Sequence, residues 1–225
     1  MTCPETALHG VQAVYEDTDL LVLHKPAGLL CVPGRGPDKQ DCLSARAQER
    51  WPGALIVHRL DQATSGLVLM ARHIEAQRRL SHAFAERQVA KRYVAVVRGH
   101  MQAAGEAAEA HGWQTIDLPI AADWERRPLR MIDHTAGKPS QTRWRALAWD
   151  AAAGTTRVEL EPLTGRTHQL RVHLAAMGHA IAGDMLYADP ATQALSPRLL
   201  LHACSLAFAQ PLTGEPLAFE LPADF

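Results

Sequence analysis

Short apolar runs separated by polar or Gly/Pro-rich punctuation dominate this chain. Residues 11–15 and 20–23 are β-prone runs around Glu16-Asp17-Thr18-Asp19, which predicts a hairpin. Lys25-Pro26-Ala27-Gly28-Leu29-Leu30 ends the second run, and residues 32–39 form a Gly- and Pro-rich connector exposing Arg35 and Lys39. Residues 41–50 read as a short helix with Asp41 as N-cap. Two apolar runs, 54–57 and 67–71, flank His58-Arg59-Leu60-Asp61-Gln62-Ala63-Thr64-Ser65-Gly66, a loop between two buried elements. In a helix over 73–87, Ala76, Leu80, Ala83 and Phe84 fall on one apolar face, with Arg72, Arg78, Arg79 and Arg87 elsewhere.

Residues 91–98 give the clearest strand, with Tyr93, Ala95 and Val97 on one side and Val94 and Val96 on the other. Residues 100–114 read as an Ala-, Gly- and Glu-rich inserted loop, and 119–142 as an irregular basic stretch around Trp124. Strands over 142–148 and 156–161 follow, then a helix over 164–177 with Thr164 or Thr167 as cap and Gly178 just past its end. His168 and Arg171 fall three apart on one face of that helix. Residues 181–184 form a loop with a buried approach, and short elements close the chain at 199–203 and 217–221. A strand-rich order with two or three helices predicts an α+β fold rather than regular βαβ alternation.

Length and composition fit one domain of 225 residues, residues 1–225, with 100–145 as inserted loops whose basic, Trp-bearing part reads equally as an RNA-contacting finger or as a surface insertion without function. No run approaches the roughly 18 apolar residues of a membrane span, and the N-terminus carries no basic-then-apolar leader, so a cytoplasmic protein is expected. The cysteines Cys3, Cys31, Cys42 and Cys204 show no Cys-x-x-Cys pairing and read as reduced thiols. Net charge is −1, but its distribution matters more than the sum. Four acids precede Lys25 and three follow Arg198, so the body from 25 to 198 holds all 23 basic residues against the remaining 17 of 24 acidic ones. Residues 46–98 carry ten basic and four acidic residues, and 126–145 six against one, which makes a polyanion a plausible partner beside the plainer reading of solvated faces.

On local pattern alone, Arg59 and Asp61 fit a turn-stabilising pair as well as a catalytic carboxylate in a loop. Tyr93 fits a core ring with its hydroxyl at the rim. His168, His173, His179 and Asp184 can be drawn as a metal site, but His168 and His173 lie five apart, on different helix faces. No Gly-x-Ser-x-Gly, phosphate loop or dinucleotide fingerprint is present. What remains is one carboxylate with arginines and a tyrosine in a locally basic body.

His58 to Leu67 resembles the signature of the RluA family of pseudouridine synthases, and four further stretches resemble that family in order. They are Lys25 to Leu29, Lys91 to Ala95, Thr164-Gly165-Arg166-Thr167-His168-Gln169-Leu170-Arg171-Val172-His173, and Gly178-His179 with Gly183-Asp184 and Tyr187. His24 stands where Asn is usual, and Ala180 where Pro often follows Gly-His; neither is a catalytic position. The resemblance implies a mixed, mostly antiparallel sheet flanked by helices, an active-site cleft across it, and conversion of uridine in RNA to pseudouridine without metal or organic cofactor. Asp61 matches the family's essential Asp, Tyr93 the tyrosine against the target base, and Arg171 the arginine that would keep Asp61 ionised. Arg59 matches the arginine that fills the space left by a flipped uridine.

RNA contacts are expected from Arg35, Arg59, Arg126, Arg127, Arg130, Lys138, Arg166 and His168. Only 57 residues precede His58 and they already match the catalytic core, so no N-terminal S4 module is expected. Nothing in the sequence forces a dimer, and a monomer is expected. The short form, with residues 32–35, 117–120 and 221–225, resembles the dual-specificity branch of the family, whose substrates are 23S ribosomal RNA and the transfer RNA anticodon stem-loop. The competing readings are an RNA-binding protein without catalysis and a metal-dependent hydrolase.

Overall fold

Asp17 shows how the first hairpin closes: its carboxylate accepts the backbone amides of Asp19 (2.7 Å) and Leu20 (2.8 Å), turning the chain between the first two strands. The computed structural model describes residues 11–102 and 112–225. In chain order the first elements are β1 (Gln12–Glu16), β2 (Leu20–Lys25), α1 (Leu43–Arg50), β3 (Leu55–Ile56), β4 (Ser65–Ala71), α2 (Ile74–Ala85) and β5 (Ala90–Arg98). Then come β6 (Gln114–Asp117), β7 (Ile120–Ala122), β8 (Arg130–Ile132), β9 (Gln141–Asp150), β10 (Thr155–Pro162), α3 (Gln169–Ala176), α4 (Pro190–Gln193), β11 (Leu201–Ala209) and β12 (Pro216–Glu220). The chain is α+β, and every strand pairing described below is antiparallel.

Two compact units are present, one from residues up to Ala90 with Ser205–Leu221, the other Lys91–Cys204 with Pro222–Phe225. In the first, strand order is β1-β2-β4-β11, with β3 on β4 and β12 on β11. β4 is buried at every position, which explains its unbroken apolar run. Leu20, Val22, Leu67 and Leu69 form a core with Ala76 and Leu80 of α2, and Ala83 and Phe84 pack on its edge, as the helical spacing predicts. α1 begins one residue later than expected. Cys42, not Asp41, is the N-cap, its sulfur accepting the Ala45 amide, because Asp41 instead makes a bidentate pair with Arg46.

In the second unit, strand order is β5-β10-β9-β6, with β7 and β8 as a separate two-stranded hairpin. Val158 and Leu160 of β10 are buried, while Arg157, Glu159 and Glu161 alternate with them. The 100–145 stretch, expected as inserted loops, carries four strand segments, β6, β7, β8 and the start of β9, and β6 belongs to the main sheet. Trp113 and Met101 are buried, apolar anchors that composition averaged over 100–114 concealed. The expected loop otherwise falls on 103–111, outside the described residues. Among the described residues no helix is long and apolar enough to cross a membrane.

Candidate active site

In the first unit the loop over 57–64 joins β3 to β4, which pair at Leu55–Ala71 and Ile56–Met70. Within this loop Leu60 is buried, while Arg59 is exposed and Asp61 half-buried. Both neighbours of Asp61 are pinned through backbone atoms. The Leu60 amide donates to Cys31 Sγ (3.2 Å), and the Gln62 carbonyl accepts from the Gly28 amide (2.8 Å) and from Lys25 Nζ (3.0 Å). Gln62 Nε2 returns a bond to the Gly28 carbonyl (3.0 Å), and the Thr64 amide closes a turn on the Asp61 carbonyl (3.1 Å). His58 stacks on Phe84 and its Nε2 accepts the Leu69 amide (3.0 Å), so this nitrogen is unprotonated in that geometry.

Lys25 is the centre of this clamp. Its side chain is fully buried, and Nζ also donates to the carbonyls of Pro26 (2.8 Å) and Leu29 (2.8 Å). Burial lowers its pKa to about 8, against the opposing pull of Cys31 and Asp61. Burial likewise raises the Cys31 thiol. The sequence marked Lys25 only through its motif, because nothing local distinguishes a buried lysine from a solvated one.

In the second unit, Tyr93 lies on β5 opposite Leu160, half-buried, in line with the buried Ala95 and Val97. Arg171 is in the middle of α3, and its Nε and Nη2 donate to Asp184 at 2.8 and 2.6 Å, with both side chains buried. Asp184 also accepts the Leu186 and Tyr187 amides, at 2.9 and 3.2 Å. Tyr187 lies under the Arg171 guanidinium, 5.1 Å from ring centroid to Cζ. Its hydroxyl accepts the Arg130 amide (2.9 Å) and bonds to His168 Nδ1 (2.6 Å). Arg171 thus has a carboxylate partner, Asp184, that the sequence reading had not paired with it. His168 and Arg171 do not share a helical face as expected, because His168 precedes α3 in the left-handed region, but both contact Tyr187. Gly183, beside Asp184, has φ +73, and a Cβ there would stand 1.9 Å from the Arg198 carbonyl oxygen, so only glycine fits.

α3 starts later than predicted, at Gln169, with His168 as an N-cap in the left-handed region (φ 57) and no side-chain cap. Thr164 is occupied elsewhere: it accepts the Gln141 amide (2.9 Å) and donates to Gln169 Oε1 (2.7 Å). Gln169 Nε2 donates to the Gln141 carbonyl (2.9 Å) and Thr142 Oγ1 (3.0 Å). Thr142 bonds His173 Nδ1 (2.9 Å), and His173 Nε2 bonds the Leu118 carbonyl (2.9 Å). Because a carbonyl only accepts, Nε2 carries the proton and Nδ1 accepts from Thr142. Burial lowers the His173 pKa, in keeping with that neutral ring. This chain of bonds ties the Thr164–His173 motif to β9 and fixes the helix that carries Arg171. His173 and Asp184, drawn above as metal ligands, have their polar atoms engaged by Thr142, Leu118 and Arg171, and His179 Nδ1 bonds the Arg98 carbonyl (2.9 Å). Among the described residues no group of three metal-ligating side chains converges.

The expected RNA contacts are spread over both units. Arg35 is exposed in the connector, where Gln40 ties down Gly34 and Gly36. Arg126 and Arg127 are exposed at the tip of the β7–β8 hairpin, Arg130 is half-buried in β8, and Lys138 and Arg166 are exposed. Part of Arg126's charge is taken by Asp123 (2.7 Å), whose carboxyl stays below the usual carboxylate range through the Arg126 amide and guanidinium.

A family model described as "RNA pseudouridylate synthase" matches residues 19–176. The chain is 45% identical over 212 residues to the dual-specificity RNA pseudouridine synthase RluA of Escherichia coli strain K12, covering 94% of this chain and 93% of that one. It is 41% identical over 212 residues to the protein of the same name from Haemophilus influenzae, with 94% and 93% covered. Among solved structures, the human "RNA Pseudouridylate Synthase Domain Containing 1" superposes with a TM-score of 0.78 at 32% identity, covering 98% of this chain and 86% of that chain. On that family match over residues 19–176 and that identity over nearly the whole chain, this chain belongs to the RNA pseudouridylate synthase family and is an RNA pseudouridine synthase.

Proposed function

We propose that this enzyme isomerises uridines in two structured RNAs, 23S ribosomal RNA and the anticodon stem-loop of transfer RNA, with Asp61 as the essential carboxylate. The observation that carries this reading is the clamp on Asp61. Fixed backbone on either side anchors the residue that bears this half-buried carboxylate, which supports covalent or proton-transfer chemistry at it. Breaking the C–N glycosidic bond and forming a C–C bond leaves the base bound to the same sugar, so no atom is gained or lost overall. Tyr93 lies against the target base and assists departure of its C5 proton. Arg171, held by Asp184, is the arginine that the family resemblance assigns to the site. Arg59 enters the space the uridine leaves, where a planar cation can stack and bond phosphate.

Grip on the RNA comes from Arg35, Arg126, Arg127, Arg130, Lys138, Arg166 and His168, in a single-domain, cytoplasmic monomer. The match to dual-specificity relatives over almost the whole chain supports the pair of substrates. The test is Asp61→Asn: pseudouridine formation is abolished while RNA affinity stays within a few fold, and retained activity removes Asp61 from the mechanism. Pseudouridine maps of ribosomal and transfer RNA from cells with and without the gene report both substrates at once. Full activity after chelation separates this reading from a metal-dependent hydrolase.

A further inference from the structure

Trp124 is 72% exposed, the highest among the large hydrophobic side chains described. It stands at the tip of the β7–β8 hairpin on a held loop. The Asp123 amide donates to the Leu129 carbonyl (3.1 Å), the Leu129 amide to the Arg126 carbonyl (2.9 Å), and the buried Asp123 carboxylate accepts the Arg126 amide (3.0 Å). The Arg127 guanidinium lies 3.9 Å from the indole centroid and covers one face of the ring. At that exposure the rest of the ring is open to solvent, and indole in water gives no folding benefit.

Resting on the RNA-modifying reading above, we propose that the open face of Trp124 is a stacking platform for one unpaired nucleobase of the RNA, other than the target uridine. Base–aromatic stacking accepts any base, because each has a π face, and the Arg127 cation behind the indole strengthens it. A base within a duplex is already covered on both faces, so the platform selects single-stranded loops. Charge favours the same occupant: residues 124–130 carry Arg126, Arg127 and Arg130 against Glu125 alone. The platform is also tied to the catalytic helix of its own unit. The Arg130 amide bonds the Tyr187 hydroxyl, and Tyr187 lies under Arg171, so a base held at the tip sets the RNA at a fixed distance from that arginine.

The test compares the full-length wild type, Trp124→Ala and Trp124→Phe at one salt concentration. The probes are a short RNA hairpin with a single-stranded loop containing uridine and a blunt RNA duplex of equal length. Trp124→Ala is expected to weaken hairpin binding about 5- to 150-fold, the range for losing one base–aromatic stack. Trp124→Phe restores most of the affinity, and duplex binding and the salt slope stay unchanged, since no charge is removed. An abasic scan of the loop finds one position that weakens wild type but not Trp124→Ala. Equal hairpin affinity in wild type and Trp124→Ala, equal losses on hairpin and duplex, or no such abasic position overturns the platform. Pseudouridine formation is scored separately: a wild type that binds but forms none refutes the enzymatic reading, while the binding comparison still decides the platform.

Discussion

Asp184→Asn isolates the buried pair that holds Arg171. The native carboxylate receives two charge-assisted bonds from Arg171 and two backbone amides, all within 3.2 Å. Asparagine keeps an oxygen for the amides but turns an NH₂ toward the guanidinium, setting donor against donor and leaving a buried cation uncompensated. Breaking a buried pair in this way costs about 3–5 kcal/mol. At about 2–4 °C per kcal/mol for a chain of this size, the melting temperature should fall by roughly 6–20 °C. Urea unfolding and pseudouridine formation on the same preparation give stability and activity together. Asp184→Leu with Arg171→Met, which removes both charges, should regain much of the stability and none of the activity, because apolar replacement of a buried pair is often neutral. A loss below about 1 kcal/mol with full activity in Asp184→Asn would refute the assignment.

Lys25→Met strands the carbonyls of Pro26, Leu29 and Gln62 while relieving a desolvated charge, for a net loss of about 2 kcal/mol by urea titration. Lys25 has a folded pKa of about 8, below its unfolded value, so the unfolded chain binds more protons from there up to about 10.5. Wild-type stability relative to Lys25→Met is therefore flat below pH 8 and rises with pH through that window; a flat difference throughout disproves the buried charge. For His173, whose folded pKa is lowered, the unfolded chain binds the extra proton, so its contribution is full above about pH 6.5 and is lost below it. His173→Gln should flatten that acid limb in a stability–pH series, and an unchanged limb would assign it elsewhere. Tyr187→Phe keeps the ring under Arg171 but removes the hydroxyl bonded to Arg130 and His168, and should cost about 1–2 kcal/mol. No measurable change in melting temperature would show that this link contributes nothing.

The sequence by itself determined the α+β class, the loop between two apolar runs and the motifs naming Asp61, Tyr93 and Arg171. Those properties are written in period-2 and helical alternation and in short contiguous stretches, which survive without a third dimension. It also predicted the apolar face of α2, because Ala76 and Leu80 recur at helical spacing. Tertiary structure decided the partners. Asp184 meets Arg171 from thirteen residues away and Lys25 meets Gln62 from thirty-seven, separations at which no local pattern specifies a contact. The start of α3 shifted for the same reason: Thr164 is a good cap by type, but its oxygen accepts the Gln141 amide from twenty-three residues away. At α1 the competitor is local, since Arg46, five residues on, engages the Asp41 carboxylate.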